Sequence, residues 1–198
     1  MVLQYANNGT LREYLWAKQN NGSYKISWIE LIQIAKEIAN GLNHLHLNGI
    51  IHQGLHPKNI LINDGQVMIS DFSMNKQFDD IFIFTSSNTQ EMVAYIDPQC
   101  LLNEKRFKPN RKSDVYSLGV LFWELTSGVS PFYKLSFVDK MLRIANHNIE
   151  KTVTNTPQGY VNLYKRCWSF EPDQRPTLDE ISIVLEKLAD VTFEFIIN

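Results

Sequence analysis

The sequence predicts a mainly α fold with one small β-hairpin element. Three observations predict it. Trp28, Leu31, Ile32, Ala35, Ile38, Ala39, Leu42 and Leu45 recur at three- and four-residue steps, the period of one face of a helix. Residues 113–128 carry the stripe Val115, Leu118, Leu121, Phe122 and Leu125, with Val120 and Trp123 on the other side, so this helix is apolar nearly all round and belongs at the domain centre. Between them, Asn63-Asp64-Gly65 separates two short runs rich in Ile and Val, the signal of a hairpin turn.

Taken in order, Val2-Leu3 reads as the end of a strand and Ala6-Asn7-Asn8-Gly9 as a turn, so the chain opens as if cut inside a domain. Thr10 N-caps a short helix from Leu11 to Lys18, followed by the polar loop Asn20-Asn21-Gly22-Ser23. Ser27 caps the long amphipathic helix, with Glu30 completing a capping box and Asn48-Gly49 ending it. The hairpin strands are Ile60–Ile62 and Val67–Ile69. Residues 71 to 112 show no sustained period and read as a long loop of the kind that carries function. Helices follow at Ser113–Gly128 and near 136–147, 158–168 and 177–189, punctuated by Pro131, Pro157, Pro172 and Pro176. With no repeat, linker or low-complexity tract, residues 1–198 read as one domain.

Composition narrows the function classes. Lys plus Arg is 19 against 21 Asp plus Glu, a net charge of −2 that excludes a broad basic field for nucleic acid or membrane. Aromatic residues at 12% exclude a disordered chain. No apolar stretch approaches a membrane span, and the N-terminus lacks the basic and apolar regions of a signal peptide, so a cytoplasmic or nuclear location is expected. Cys100 and Cys167 are too far apart for a C-x-x-C unit and are expected as buried free thiols.

The chemistry sits in residues 50–62, Ile-Ile-His-Gln-Gly-Leu-His-Pro-Lys-Asn-Ile-Leu-Ile, and in four later motifs. These are Asp71-Phe72-Ser73, Ala94-Tyr95-Ile96-Asp97-Pro98-Gln99, Ser113-Asp114-Val115-Tyr116-Ser117-Leu118-Gly119, and Cys167-Trp168 through Arg175-Pro176. In this order the set resembles the C-terminal lobe of a eukaryotic protein kinase, nearest the tyrosine-kinase-like branch, whose patterns run H-R-D-x-x-x-x-N, D-F-G and A-P-E. The resemblance covers essentially the whole chain and implies a kinase-like C-lobe without its N-lobe. It implies that Gln4 and Ala6 lie on the adenine-binding hinge, that Leu61 floors the base, and that Asn59 and Asp71 are the oxygen donors to Mg²⁺. Taken without it, Leu61 is hairpin core and Asn59 and Asp71 cap local turns. It also implies interior stacking for His52 and Phe72. Asp114 would hold the catalytic-loop backbone, or simply complement a helix dipole.

The departures decide the function. Gly54 stands at the position of the catalytic aspartate, and without a side chain it cannot accept a hydroxyl proton, a loss of about 10²–10⁴ in rate. Gln53 replaces the arginine that pairs with activation-loop phosphate, so Thr85, Ser86, Ser87 and Thr89 read as a solvated polar loop. His56 replaces a lysine, Ser73 the glycine of D-F-G, and Gln99 the glutamate whose partner would be Arg175, so Gln99 is expected to keep a hydrogen bond to Arg175 without the charge. None of the nine glycines are two apart and no V-A-x-K strand appears, so the phosphate-covering loop and its lysine are absent from this sequence. His44-x-His46 and the His52/His56 pair are poor metal ligands, and Ile81-Phe82-Ile83-Phe84 reads as core or as a sticky surface.

Three readings follow. The first is a pseudokinase-like module that acts through protein contacts, with weak binding of ATP and Mg²⁺ or none. The second is an ATP-dependent protein kinase acting on Ser, Thr or Tyr, within a longer chain or with an N-lobe supplied elsewhere. The third is a non-functional fragment. The partners expected are proteins, with no nucleic acid and no membrane.

Overall fold

The structure, a computed structural model, describes residues 6–71, 91–102 and 107–197. Gln4, Phe72, Ser73, the Ile81–Phe84 run and Thr85, Ser86, Ser87 and Thr89 lie outside the described residues.

Thr10 caps α1 (Leu11–Ala17), and Glu13 closes a capping box with it. A hairpin of β1 (Gln19–Asn20) and β2 (Ser23–Ser27) follows, where the sequence suggested only a polar loop. Its turn is Asn21-Gly22, both at positive φ (50° and 80°), the same two-residue chemistry as Asp64-Gly65 at 49° and 80°. The second turn joins β3 (Ile60–Asn63) to β4 (Gln66–Ile69), close to the expected strands. A C-terminal strand, β5 (Phe195–Ile197), pairs antiparallel with Lys25–Ser27 and makes a three-stranded sheet that periodicity did not show.

The long helix α2 runs Trp28–Leu47 under the Ser27 cap. The expected capping box is only half made, because the Glu30 carboxylate turns instead to Lys18 and the Tyr14 hydroxyl. The 71–112 region contains, among its described residues, a 3-10 turn at Val93–Tyr95 and the five-residue helix α3 (Pro98–Leu102), both too short to show a period. Helix α4 (Arg111–Ser127) starts two residues earlier than predicted, with Asn110 accepting from Lys112 N at 2.8 Å and Ser113 Oγ accepting from Asn110 N at 3.1 Å. It ends on Gly128 at φ 70°, a left-handed cap. Helices α5 (Phe137–Ala145), α6 (Gln158–Cys167) and α7 (Leu178–Ala189) fall where expected.

Every residue of α4 from Ser113 to Ser127 is buried, as its apolar periphery required. It packs on α6, while α2 packs on α7. Trp28 ties the two pairs together: its indole donates to Leu188 O at 3.0 Å and its ring meets Tyr160 edge-on at 5.6 Å. Cys100 and Cys167 are free and buried, and burial pushes both thiols up to about 12, so neither is reactive. No described helix is long and apolar enough to cross a membrane.

Gly119 sits at the α4–α6 contact. A Cβ there would stand 2.5 Å from Trp168 N and 2.7 Å from Cys167 Cβ. Gly119→Ala is therefore expected to cost about 1–3 kcal/mol through overpacking, seen as a lower urea midpoint. An unchanged midpoint would show that α6 moves away freely.

Candidate active site

The loop between α2 and β3 is built on Asp114, in the first turn of α4 and only 1% exposed. Its Oδ2 lies 2.7 Å from His46 Nε2 and accepts from His52 N at 2.8 Å; its Oδ1 accepts from Gln53 N at 2.8 Å. These bonds hold Gln53 at φ 61°, a conformation an L residue adopts only when its surroundings fix it. Asp114 thus holds the loop backbone in the way the resemblance implied.

His52 is buried in the interior. Its Nδ1 accepts from Gly54 N at 3.2 Å, which leaves Nε2 to donate to Ser70 O at 3.0 Å. Both nitrogens are engaged, so His52 is no ligand for a metal. Asn59 is 7% exposed and donates from Nδ2 to Gly54 O at 2.9 Å, which turns its amide oxygen away from Gly54. Its backbone carbonyl accepts from Ser70 N at 2.9 Å and Ser70 Oγ at 3.2 Å. Asp71 follows directly, exposed and at φ 56°. The two predicted magnesium ligands therefore stand on adjoining segments, both with oxygen donors of the hard type that Mg²⁺ takes.

The turn at residues 6–9 lies along β3. Asn8 N donates to Ile62 O at 3.1 Å, and Ile62 N donates to Gly9 O at 2.9 Å. Ala6 and Leu61 are thus carried on neighbouring backbones, and Leu61 is half-buried, on the opposite side of the strand from the core residues Ile60 and Ile62.

Position 54 is a vacancy. Gly54 is not among the residues at positive φ, and a Cβ on it would meet Asn59 Nδ2 and His52 Nδ1 only at 3.9 Å. The backbone therefore does not demand glycine there. Gln53, Gly54 and His56 face Met92, Tyr95 and Ser113 across a cavity of about 170 Å³. Lys58, on the same loop, pairs with Glu91 at 3.3 Å.

One expectation is corrected. The partner of Arg175 is Asp97, not Gln99: Arg175 Nη1 donates to Asp97 Oδ2 at 2.6 Å and Nη2 to Oδ1 at 3.0 Å. The charge lost at position 99 is supplied two residues earlier.

Sequence reasoning also missed a buried network of Arg12, Tyr95 and Glu124. Arg12 donates to Glu124 and, at 3.0 Å, to the Tyr95 hydroxyl, which in turn donates to Glu124. The signal was present: a glutamate in a helix apolar on every side has to find a partner inside the protein. Burial pushes the Glu124 carboxyl up to about 7, against the opposing pull of Arg12 and Tyr95. The folded chain thus holds an extra proton between the ordinary value of 4.5 and about 7. The stability this group contributes is full below about 4.5 and is lost as pH rises to about 7. Glu124→Gln is expected to remove that slope, so that urea midpoints at pH 5 and pH 7.5 lie closer together than in the wild type. An equal separation would place the titration elsewhere.

With this geometry in view, the comparisons with known proteins agree. Residues 1–185 match the family described as protein tyrosine and serine/threonine kinase, and the chain belongs to that family. It is 31% identical over 189 residues to the serine/threonine/tyrosine-protein kinase HT1 of Arabidopsis thaliana, covering 94% of this chain and 46% of that protein. It is 29% identical to the tyrosine-protein kinase transmembrane receptor Ror of Drosophila melanogaster, covering 92% of this chain and 27% of the receptor. With mitogen-activated protein kinase kinase kinase 13-A of Xenopus laevis it shares 31% identity over 94% of this chain and 18% of that protein. The chain spans less than half the length of each.

Proposed function

We propose that the chain is a catalytically impaired kinase-family domain that acts through protein contacts and binds Mg²⁺-ATP only weakly. The observation that carries this reading is the vacancy at Gly54 within a loop whose backbone is otherwise held. Asp114, His52 and Asn59 keep the loop in shape, yet no side chain at position 54 can take the proton of an attacking hydroxyl. His56 adds to the loss, because a neutral imidazole stabilises a transferring phosphoryl group less than a lysine does.

Asn59 and Asp71 are the residues that would hold Mg²⁺, and the bound ion would neutralise charge on the nucleotide phosphates. Gln4, Ala6 and Leu61 are the residues that would hold the adenine. Protein contact is supported by α5, where Val138 and Leu142, one helical turn apart, are 64% and 55% exposed. Location in the cytoplasm or nucleus is part of the same proposal.

The retained Asn59–Asp71 pair favours a second reading, residual phosphoryl transfer to protein Ser, Thr or Tyr. Transfer from labelled Mg²⁺-ATP separates the two. The wild type is expected to give no more product than Asp71→Ala, and Mg²⁺-ATP to shift its melting temperature little. Transfer above that background, abolished by Asp71→Ala, would establish the active reading and overturn the impaired one.

A further inference from the structure

Arg175 is 1% exposed and spends every N–H it has. Nε donates to Ser169 O at 2.8 Å; Nη1 to Asp97 Oδ2 at 2.6 Å and Lys112 O at 2.9 Å; Nη2 to Asp97 Oδ1 at 3.0 Å and Phe170 O at 2.9 Å. A guanidinium carries five donors, and these are five. Its face also lies 5.1 Å from the Tyr116 ring. No N–H of Arg175 remains to be donated to a side chain at position 99.

Asp97 is equally committed. It is 2% exposed, and Oδ1 also accepts from Gln99 N at 2.9 Å. Its carbonyl accepts from Cys100 N at 2.9 Å and Leu101 N at 3.3 Å. One residue therefore caps α3, with Pro98 at the first helical position, and clamps that helix to the start of α4 and to the turn at 169–170.

We propose that Asp97 is the positioning residue of the segment 93–102, having taken over at position 97 the anchoring of Arg175 that a carboxylate at position 99 would otherwise supply. The other side of this segment is the wall of the cavity facing Gly54 and His56, formed by Tyr95, Ile96 and Asp97 itself. The anchor holds that wall whether or not the chain transfers phosphate. Substitution at Gln99 is then no mark of a decayed segment, because its charge has been relocated and not lost.

Three variants test this. Asn caps a helix as well as Asp does, so Asp97→Asn removes the ion pair and spares the cap. It is expected to lower the melting temperature by at least about 5 °C and to speed amide exchange at residues 98–102 at least about tenfold, the behaviour of a buried guanidinium stripped of its carboxylate. Gln99→Ala is expected to leave exchange within about twofold of the wild type. Asp97→Asn with Gln99→Glu is expected to restore at least half of the lost melting temperature and protection. If Asp97→Asn yields no soluble protein, recovery of soluble protein by the added Gln99→Glu reads the same rescue. Three results would overturn the proposal: Asp97→Asn without effect, Gln99→Ala as damaging as Asp97→Asn, or a double variant no better than Asp97→Asn.

Discussion

A helix buried on every side has to find a protein partner for each polar group it carries, and this constraint on α4 organises the molecule. Asp114 takes the loop amides of His52 and Gln53. Ser117 Oγ donates to Tyr95 O at 2.6 Å, and Glu124 takes Arg12 and the Tyr95 hydroxyl. Lys112 O takes Arg175. The partners that satisfy α4 are the backbone of the loop between α2 and β3, the segment before α3 and helix α1, so the demand for satisfied hydrogen bonds in the core is also what places the candidate site. Polar groups held this way sit in low dielectric, where each bond is strong and each missing partner costly.

What the sequence made legible was local or came with a family pattern. Caps at Thr10 and Ser27, the Asp64-Gly65 turn and the 3.6-residue stripes depend on neighbours within a few positions, and they were found; the caps at Ser136 and Thr177 are equally local but were not read. The Asn21-Gly22 turn carried the same signal but was passed over, because β1 is two residues long and offers no alternation to flank it. Strand β5 was invisible because its partner Lys25–Ser27 lies at the other end of the chain. The same holds for Arg12 with Glu124, 112 residues apart. At the site, the hold of Asp114 on the loop backbone was implied by the motif, whereas the pairing of Arg175 with Asp97 was not. The two positions, 97 and 99, are neighbours in the same motif, and only geometry tells them apart.

The loop thus combines an intact frame with an empty centre. A collapsed loop would leave Gln53 free to relax from positive φ and Asn59 without Gly54 O; instead, both are held. Position 54 lacks a side chain while the backbone around it is held. The frame is carried by the same core helix, and the geometry at position 54 neither demands glycine nor crowds a Cβ.

The central claim, that position 54 is empty and not structurally required to be so, is tested most directly by the thermal stability of Gly54→Asp. Since a Cβ there meets nothing closer than 3.9 Å, the account predicts a melting temperature within about 2 °C of the wild type and unchanged amide protection at residues 52–59. A fall of about 5 °C or more, with loss of protection in that loop, would show that the frame depends on glycine and would contradict it.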